Sequence, residues 1–477
     1  MCVVCVTVAG TFLVASQITP IQALSDFTSS QKTLTPFSGS SSTLSTKQKS
    51  VIKVLVESNP DAETVTCTGL VQKGASRALV SIARNRAKAS CDYAKRLNSF
   101  LDSTIVTSIA SNRAGVGRVT VSIRTPKPKD LSQHQTITQA AELTDLETCK
   151  TEDLTPRSGG SNGFPRPATT LTGTISARIL YVPIVFSDLQ FNDSDLNRIT
   201  QAADRVTKFY KETSYGRVLL TSEFLPKNLW VNMSKSAADY RLPENIPQHN
   251  KTSMVEDVFR LVDPSVNFNL YDGVVITTGY SQKMHGGQAF TGMTFNTKNG
   301  IARGVNLEIG SASGNFRVTA HELGHSLFSL EDLYVFLNPT RPSVPDPQPA
   351  GNWDLMSSNA EEFFGWNKLL NGWLDANNVR CLTNQLSSTH YIETIDSPSD
   401  KAKLILINLS PGVTLAIEGR FGGILVYKID SRIQHGDGPI SAQKQLITNS
   451  DQLTLDGWTI QVRDSDPKGF LVEVLRN

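Results

Sequence analysis

The chain lacks a strong charge of either sign. It has 46 Lys and Arg residues against 44 Asp and Glu residues, so its formal net charge is +2 over 477 residues. Such a small charge gives no electrostatic field that would select nucleic acid or an anionic membrane. Apolar residues make up 39% of the chain and charged residues 19%, which is ordinary for globular domains. The length exceeds what one hydrophobic core supports, so two or three domains are predicted.

The N-terminus lacks both a basic start and an apolar run long enough to span a bilayer. The first Lys or Arg is Lys32, and the apolar run extends from Cys2 to about Ala15, which is too short for a transmembrane helix. The small-residue pattern Ile21-Gln22-Ala23 is typical of a signal-peptide cleavage site. Residues 1–23 are therefore predicted to be a bacterial-type signal peptide, leaving a secreted, extracellular or cell-envelope protein with no transmembrane anchor. The alternative is a buried N-terminal strand or helix.

Cysteine is scarce, with six residues, two of which would leave with the signal peptide. The other four are an even number in a compartment expected to be oxidising. Of three possible connectivities, we predict Cys67 with Cys91, inside one small domain, and Cys149 with Cys381, which flank another. The alternative is four unpaired, buried thiols.

Two stretches lack an apolar period and divide the chain. Residues 24–47 are rich in Ser and Thr, and residues 125–175 are rich in Pro, Gly and Ser, so both are predicted to be linkers. Between them, residues 48–124 show helical and strand patterns and are predicted to form a small α/β domain. The whole chain is expected to be an α+β multidomain protein, with further domains at residues 176–380 and 381–477.

Histidine is also scarce, with seven residues, yet two of them flank a glutamate in RVTAHELGHSLFSLEDLY. His321 and His325 are four residues apart, so on a helix both project from one face and can reach one metal ion. Asn315 is a candidate N-cap for that helix. Glu322 would point beside the metal, where it can accept a proton from water, and the natural ion for such a site is Zn²⁺. The alternative is a core-facing helix that carries two histidines.

A third ligand and a floor for the site are expected downstream. Met356 follows His325 by 31 residues, beyond a Pro-rich loop, as in the Met-turn of metzincin peptidases. One possible source of the ligand is a second helix, at Glu361 or Glu362 in NAEEFFGW, as in thermolysin-like enzymes.

Several further pieces of sequence follow one another between Ile175 and the C-terminus: ARILYVPIVFSDLQF, VTKFYKETSYGRVLLTSEFLP, YDGVVITTGYS, HELGHSL with EDLY, GNWDLM, FFGWNKLLNGWLD, GGILVYKID and KGFLVEVL. In order and approximate spacing this region resembles the immune inhibitor A-type metallopeptidases, which are secreted, metzincin-like bacterial enzymes. The resemblance implies zinc, peptide hydrolysis and export. It also implies a metzincin-like zinc peptidase domain at residues 176–380, with His321, Glu322 and His325 as its motif.

The chain departs from that family at the end of the motif helix. The relatives usually have a glycine three residues after the second histidine, where this chain has Phe328, and their aspartate position is held by Glu331, with Asp332 next. A phenylalanine does not readily take the positive φ that glycine allows, so we expect the helix to run slightly further. The longer turn favours Asp332 over Glu331 as the third ligand.

The remaining strand patterns concern the surroundings of this site. The segment GVNLEIG at 304–310 alternates apolar and polar residues, so it is expected to be a half-exposed strand that could pair with extended substrate. After Cys381 short strands alternate with turns, which predicts a C-terminal β-sandwich. Its DSDPKG turn at 464–469 has acidic spacing that could hold Ca²⁺, although a plain β-turn is the stronger interpretation.

The 48–124 domain has a resemblance of its own. Its segment ARNRAKASCDYAKRL resembles the RA-x-x-V-x-x-Y-L helix of outer-membrane-protein-A C-terminal-like domains, which bind peptidoglycan. Arg86 falls at the motif arginine, but CTGL at 67–70 stands where that family has an aspartate. The resemblance implies a cell-wall contact through residues 48–124, and the alternative is an accessory domain without a ligand.

The sequence as a whole predicts a secreted zinc endopeptidase that acts on proteins or peptides, with Glu322 as general base and acid. The alternative function is a cell-envelope, peptidoglycan-binding protein whose peptidase domain is degenerate and inactive. Phe328 at the turn is the feature that leaves this alternative open. No nucleic-acid partner is expected.

Overall fold

The computed structural model describes residues 27–126, 137–139, 145–155, 160–242, 248–337, 343–357, 360–383, 386–447 and 451–477. The chain divides into two compact units with the boundary after Lys129. The predicted signal peptide at 1–23 lies outside the described residues. Within the described ranges, no helix is long and apolar enough to cross a membrane. The expected mixture of helices and sheets is observed.

The first unit is a four-stranded sheet with two helices. Its elements are β1 (Phe27–Thr33), α1 (Thr46–Glu57), β2 (Thr64–Val71), α2 (Arg77–Leu97), β3 (Asp102–Ile109) and β4 (Val119–Pro126). The sheet order is β1-β4-β2-β3, in which β2 and β3 are parallel and the other neighbours are antiparallel. Cys67 on β2 is bonded to Cys91 on α2, which confirms the predicted pair.

The linker prediction for residues 24–47 is wrong over most of the part that the structure describes. Strand β1 pairs with β4 along its whole length, and Leu34, Phe37 and Leu44 belong to the core of the unit. Ser45 then caps α1 through a capping box. A Ser/Thr-rich edge strand has no apolar period because neither of its faces is fully buried. Its composition is therefore similar to that of a linker.

The second unit contains the remaining elements. Its helices are α3 (Leu146–Cys149), α4 (Asp193–Thr213), α5 (Gln248–Leu261), α6 (Phe316–Phe328) and α7 (Gly365–Leu370). Its first strands are β5 (Ile137–Gln139), β6 (Ile175–Val185), β7 (Val218–Phe224), β8 (Val231–Asn232), β9 (Gly273–Thr277), β10 (His285–Ala289), β11 (Phe295–Asn296), β12 (Ile301–Ala302) and β13 (Val305–Gly310). Its last strands are β14 (Val379–Leu382), β15 (Ser387–Glu393), β16 (Leu404–Ser410), β17 (Val413–Arg420), β18 (Gly423–Asp430), β19 (Ile440–Leu446), β20 (Gln452–Leu455), β21 (Trp458–Ser465) and β22 (Gly469–Arg476).

The sheet that lies next to α6 has the order β10-β13-β9-β6-β7, with β8 pairing with the end of β6. β6 and β9 are central, as their continuous apolar runs predict. β13 is buried along its whole length between β9 and β10, so the expectation that GVNLEIG is a half-exposed strand is wrong. Its polar side chains are buried because they face α6 and the core rather than solvent. One edge of the sheet is β10, which is its antiparallel strand, and the other edge is β7.

The C-terminal strands form two five-stranded sheets, with the orders β14-β16-β17-β18-β19 and β20-β21-β22-β15-β5. Apolar residues from both sheets make one buried cluster. A second, larger cluster includes residues of the α6 region together with Leu404, Ile429 and Ile440. The predicted domains at 176–380 and 381–477 therefore share a core and belong to one compact unit.

The linker prediction for residues 125–175 is also wrong where the structure describes them. Strand β5 pairs with β15, and α3 carries Cys149, which is bonded to Cys381 on β14, as predicted. Ser161 and Asn162 are buried. Outside β5 and α3, the described part of this stretch has no apolar period because its backbone bonds to distant segments instead of forming a regular element.

Candidate metal centre

Helix α6 carries the HELGH motif and sets the spacing of its side chains. Its N-cap is Asn315, whose side-chain oxygen accepts a hydrogen bond from the Arg317 N–H. His321 and His325 lie one turn apart, and their Nε2 atoms are 3.1 Å from each other. The Asp332 Oδ1 atom lies 3.0 Å from the first Nε2 and 3.2 Å from the second. Across the ranges that the structure describes, this is the one group of three His, Cys, Asp or Glu side chains that could hold a metal ion.

The outer nitrogens of both imidazole rings are held by backbone carbonyls. His321 Nδ1 lies 3.0 Å from the Leu355 oxygen, and His325 Nδ1 lies 2.6 Å from the Leu330 oxygen. A carbonyl oxygen can only accept, so each Nδ1 carries the proton, and the Nε2 lone pair of a neutral ring is then available to a metal. Two lone pairs and one carboxylate oxygen therefore converge on one point.

This convergence fits a divalent metal ion. Acceptor atoms 3.0–3.2 Å apart repel one another unless a cation or a proton lies among them. In a tetrahedral zinc site with bonds of about 2.0–2.1 Å, neighbouring ligand atoms lie about 3.3–3.4 Å apart, which is close to these separations. Two imidazoles and one carboxylate are also a donor set of catalytic zinc sites.

The pKa values of the three groups reflect their proximity. Burial opposes the charging of both histidines, yet the Asp332 carboxylate raises the pKa of His321 and raises that of His325 to about 9. Burial alone would raise the pKa of Asp332, but the two histidines hold it well below its usual range. A metal-free centre therefore keeps a proton near neutral pH, and metal binding would release it.

The Asp332 carboxylate reaches the histidines through a tight turn at the end of α6. The helix ends at Phe328, and Ser329 takes the left-handed conformation with φ 49°. The positive φ thus falls on Ser329, which lengthens the turn by one residue and brings Asp332 to the histidines. Glu331 is buried on another side, where its charge acts on Arg166, and it does not join the group.

Glu322 lies next to the three convergent atoms without being one of them. Its carboxylate accepts a hydrogen bond from the Ala289 N–H of β10, and burial raises its pKa. Gly287, also on β10, leaves the space that this carboxylate occupies, since a Cβ there would lie 2.3 Å from Glu322 Oε1. The edge strand therefore approaches the glutamate with its backbone alone.

Met356 forms the floor beneath α6. It is fully buried, and a Cβ added at Gly324, which lies between the two histidines, would be 2.7 Å from Met356 Sδ. The turn that carries Met356 is held by Asp354, whose carboxylate accepts hydrogen bonds from the N–H groups of Met356 and Phe364. The absence of a side chain at Gly324 is thus what lets the methionine lie directly against the helix.

Tyr334 is a member of the site that the sequence did not single out. Its ring is stacked on that of His321, with centroids 6.3 Å apart, and its hydroxyl donates a hydrogen bond to the Asp332 carboxylate. Burial and that carboxylate raise the pKa of Tyr334. It follows Asp332 by two residues, so the signal for it was its position in EDLY.

The alternative ligands from NAEEFFGW lie elsewhere. Glu361 is half-exposed and pairs with Arg317 and Arg205. Glu362 pairs with Lys368 at 2.9 Å. Because each of these carboxylates already has a cationic partner, neither belongs to the group formed with the histidines.

The DSDPKG segment is the turn between β21 and β22. Asp466 Oδ1 accepts hydrogen bonds from the N–H groups of Lys468 and Gly469, each at 2.8 Å, and one from the Tyr391 hydroxyl at 2.9 Å. The backbone therefore uses the acidic side chain to close the hairpin. This is the arrangement of a plain β-turn, and in the described residues it adds no group of calcium ligands.

Arg86 of the first unit is directed inward. It is 5% exposed and donates hydrogen bonds to the carbonyl oxygens of Ser41 at 2.8 Å, Gly117 at 2.9 Å and Gly39. Its guanidinium also lies over the Phe37 ring. The side chain thus joins two loops of its own unit, the one that precedes α1 and the one that precedes β4, so its geometry lends no support to binding of an anionic cell-wall peptide.

No protein-family model matches the chain, and no curated protein matches its sequence. The site is therefore described by its own atoms alone. His321, His325 and Asp332 supply three convergent ligand atoms, Glu322 supplies a buried carboxylate beside them, and Met356 supports the helix from below.

Proposed function

We propose that this protein is a secreted zinc endopeptidase of the immune inhibitor A type. The observation that carries the proposal is the convergence of His321 Nε2, His325 Nε2 and Asp332 Oδ1 beside a buried carboxylate that is not a ligand. These three atoms would hold a zinc ion, which would supply a Lewis acid to polarise the scissile carbonyl and to lower the pKa of water.

Glu322 is the general base and acid of the proposed reaction. It accepts a proton from the attacking water and delivers it to the amine nitrogen that leaves. Burial raises its pKa, which brings the carboxylate closer to the pH at which the enzyme works and so makes proton transfer in both directions efficient. The bond from the Ala289 N–H holds the carboxylate in place at the edge of the sheet.

The substrate lies along β10 in this proposal. This strand ends the sheet order, so its outer backbone groups, apart from the Ala289 N–H that bonds to Glu322, can pair with an extended peptide by β-augmentation. Gly287 places no side chain between the strand and Glu322. A peptide paired with β10 therefore presents its backbone, rather than one particular side chain, to the centre.

The finer assignments of fold and location belong to the same proposal. We assign the α6 sheet and the Met356 turn to a metzincin-like domain, and the two C-terminal sheets with their common core to a β-sandwich. The two disulfides support an oxidising compartment, which agrees with export through the predicted signal peptide.

Incubation with unfolded casein, with and without a chelator, tests activity and metal dependence together. We expect cleavage that the chelator abolishes and added zinc restores. Glu322→Gln should bind zinc and fold normally but lose turnover by about 10²–10⁴, the range for positioned proton transfer. Glu361→Gln, a surface variant at an ion pair, is the matched control. Undiminished proteolysis by Glu322→Gln would falsify the proposal.

A further inference from the structure

The end of α6 is bonded to a segment that precedes the whole α6 sheet in sequence. Residues 160–171 contact Leu327, Phe328 and Ser329 through a series of hydrogen bonds. The bonds are Leu171 N–H to Leu327 O at 2.8 Å, Ser161 N–H to Ser329 O at 2.9 Å, and Thr170 Oγ1 to Ser329 Oγ at 2.8 Å. The last carbonyls of a helix have no hydrogen-bond donor within the helix. Residues 160–171 provide donors for these carbonyls at the end of α6.

Arg166 makes the central contact of this segment. Its Nη2 donates to Phe328 O at 2.6 Å and to Ser329 O at 3.1 Å, while Nη1 donates to Ser161 O at 2.7 Å. Burial lowers the pKa of Arg166 to about 10, against the opposing effect of Asp153 and Glu331, so the guanidinium is charged at neutral pH. A cation at a helix C-terminus is favourable to the helix dipole, and a guanidinium fork can bridge two carbonyls at once.

The bridged residues lie between the histidines and the third carboxylate. Ser329 has the left-handed conformation that turns the chain back, and the next residue, Leu330, supplies the carbonyl that orients His325. Asp332 follows two residues later. Hydrogen bonds that hold the Phe328 and Ser329 carbonyls in place therefore also hold the His325 ring in its orientation and the Asp332 carboxylate in its position.

The segment is itself anchored on its other side. Asn162 O accepts a hydrogen bond from Trp366 Nε1 at 3.2 Å, and the Phe164 ring packs edge-on against Trp366 with centroids 5.9 Å apart. Upstream, the Cys149–Cys381 disulfide ties the chain to β14. The contacts to α6 are thus made by a part of the chain that is held at both ends.

We propose that residues 160–171 are a permanent brace of the metal centre and that Arg166 is its positioning residue. The zinc arm of the test below rests on the proposed function.

Hydrogen exchange on the full-length protein in chelator tests the brace without any metal. Arg166→Gln should speed exchange of the Ser329 and Leu330 amides by about tenfold or more, because the carbonyls around them lose their cationic partner. Arg166→Lys should restore part of the protection. Arg178→Gln, which removes a surface arginine paired with Glu223, should leave these amides unchanged. Equal protection in Arg166→Gln and wild type overturns the proposal.

Zinc titration gives the second readout. Arg166→Gln should bind zinc about 10–100-fold more weakly, the usual loss when a group that orients a ligand is removed, and should lower kcat more than it changes KM. Added guanidinium should recover part of the affinity. If Arg166→Gln binds zinc with wild-type affinity, the proposed brace is wrong. If the wild-type protein does not bind zinc, the proposed function is wrong, and the hydrogen-exchange experiment alone tests the brace.

A softer variant covers the case in which Arg166→Gln does not fold. Thr170→Val removes the one side-chain bond to Ser329 Oγ with little change in shape. It should raise exchange at Ser329 by a few-fold while exchange in β9, the centre of the sheet, stays as in wild type. No increase at Ser329 in a folded Thr170→Val protein overturns the brace.

Discussion

Two clusters of buried charged side chains in the second unit meet the cost of burial in different ways. In the first, Arg420 donates to Glu418 at 2.5 Å, the other oxygen of Glu418 accepts from the Tyr427 hydroxyl at 2.8 Å, and Lys368 pairs with Glu362. We call this the charge-paired cluster. In the metal centre, by contrast, His321, His325 and Asp332 direct three acceptor atoms at one point. The first cluster has a donor for each of these carboxylates, whereas the three acceptor atoms of the second need a shared proton or a bound cation.

This difference separates a structural role from a functional one. Burial and altered pKa values occur in both clusters, so neither property alone identifies a functional site. What distinguishes the metal centre is an excess of lone pairs whose orientation is fixed by the backbone carbonyls of Leu355 and Leu330. Only an added cation or a retained proton removes that excess.

The largest expected effect belongs to the charge-paired cluster. Glu418→Gln leaves Arg420 buried without a full counter-charge, so the free energy of unfolding should fall by about 3–5 kcal/mol. Denaturant unfolding at neutral pH measures it. Glu473→Gln, at an ion pair nearer the surface, should cost less than about 1 kcal/mol. Zinc affinity of folded Glu418→Gln should stay that of wild type, and a parallel loss of affinity would contradict the separation of the two clusters.

The metal centre should respond to loss of a ligand through zinc affinity. Asp332→Ala removes one of three ligand atoms, so we expect affinity to fall by at least about 100-fold, the upper range for loss of a mere supporting group. Glu331→Ala should have a much smaller effect, because the Glu331 carboxylate lies outside the ligand group. Zinc titration with a competing chelator measures both. The reverse ranking would exchange the roles of the two residues.

The sequence was informative about the site where the chemistry is local. His321 and His325 are close in sequence, so helical geometry was enough to place both on one face of α6. The preference for Asp332 came from the resemblance to the immune inhibitor A-type peptidases, from which the chain departs at Phe328. The sequence was uninformative about Arg166, whose partners are about 160 residues away. The segment NGFPRP shows neither a helical nor a strand period in its apolar residues, because it forms no regular element and bonds instead to the end of α6.

The same reasoning explains the errors in the fold. The short strands after Cys381, such as β17 and β18, were predicted because their apolar patterns alternate with turns. β1 was missed because it is an edge strand whose Ser and Thr side chains bury little apolar surface. β13 was predicted to be half-exposed because its apolar and polar residues alternate. In β13 the polar members are buried as well, since Glu308 bonds to Thr319 of α6 at 2.5 Å.

A smaller effect tests the packing beneath the metal centre. Gly324→Ala would normally stabilise a helix by about 1 kcal/mol, but here the new Cβ meets Met356 Sδ. Overpacking should reverse the sign and destabilise the protein by about 1–3 kcal/mol. The double variant Gly324→Ala with Met356→Ala should recover part of this loss in a double-mutant cycle. Additive effects of the two changes would show that the methionine does not support the helix.

The last effect depends on pH and concerns a third way to bury a carboxyl, which is to keep its proton. Burial raises the pKa of Glu308 to about 8, against the opposing bonds from Thr319 and Gly314. Between its ordinary pKa and about 8 the folded protein therefore holds a proton that the unfolded chain has released, so the free energy of unfolding falls as pH rises through this window.

Glu308→Gln cannot lose such a proton. Relative to wild type it should gain stability from pH 5 to 8 with a slope of no more than about 1.4 kcal/mol per pH unit. Denaturant unfolding of both proteins across that range measures the difference, and parallel curves would mean that Glu308 is already ionised and belongs with the charge-paired cluster.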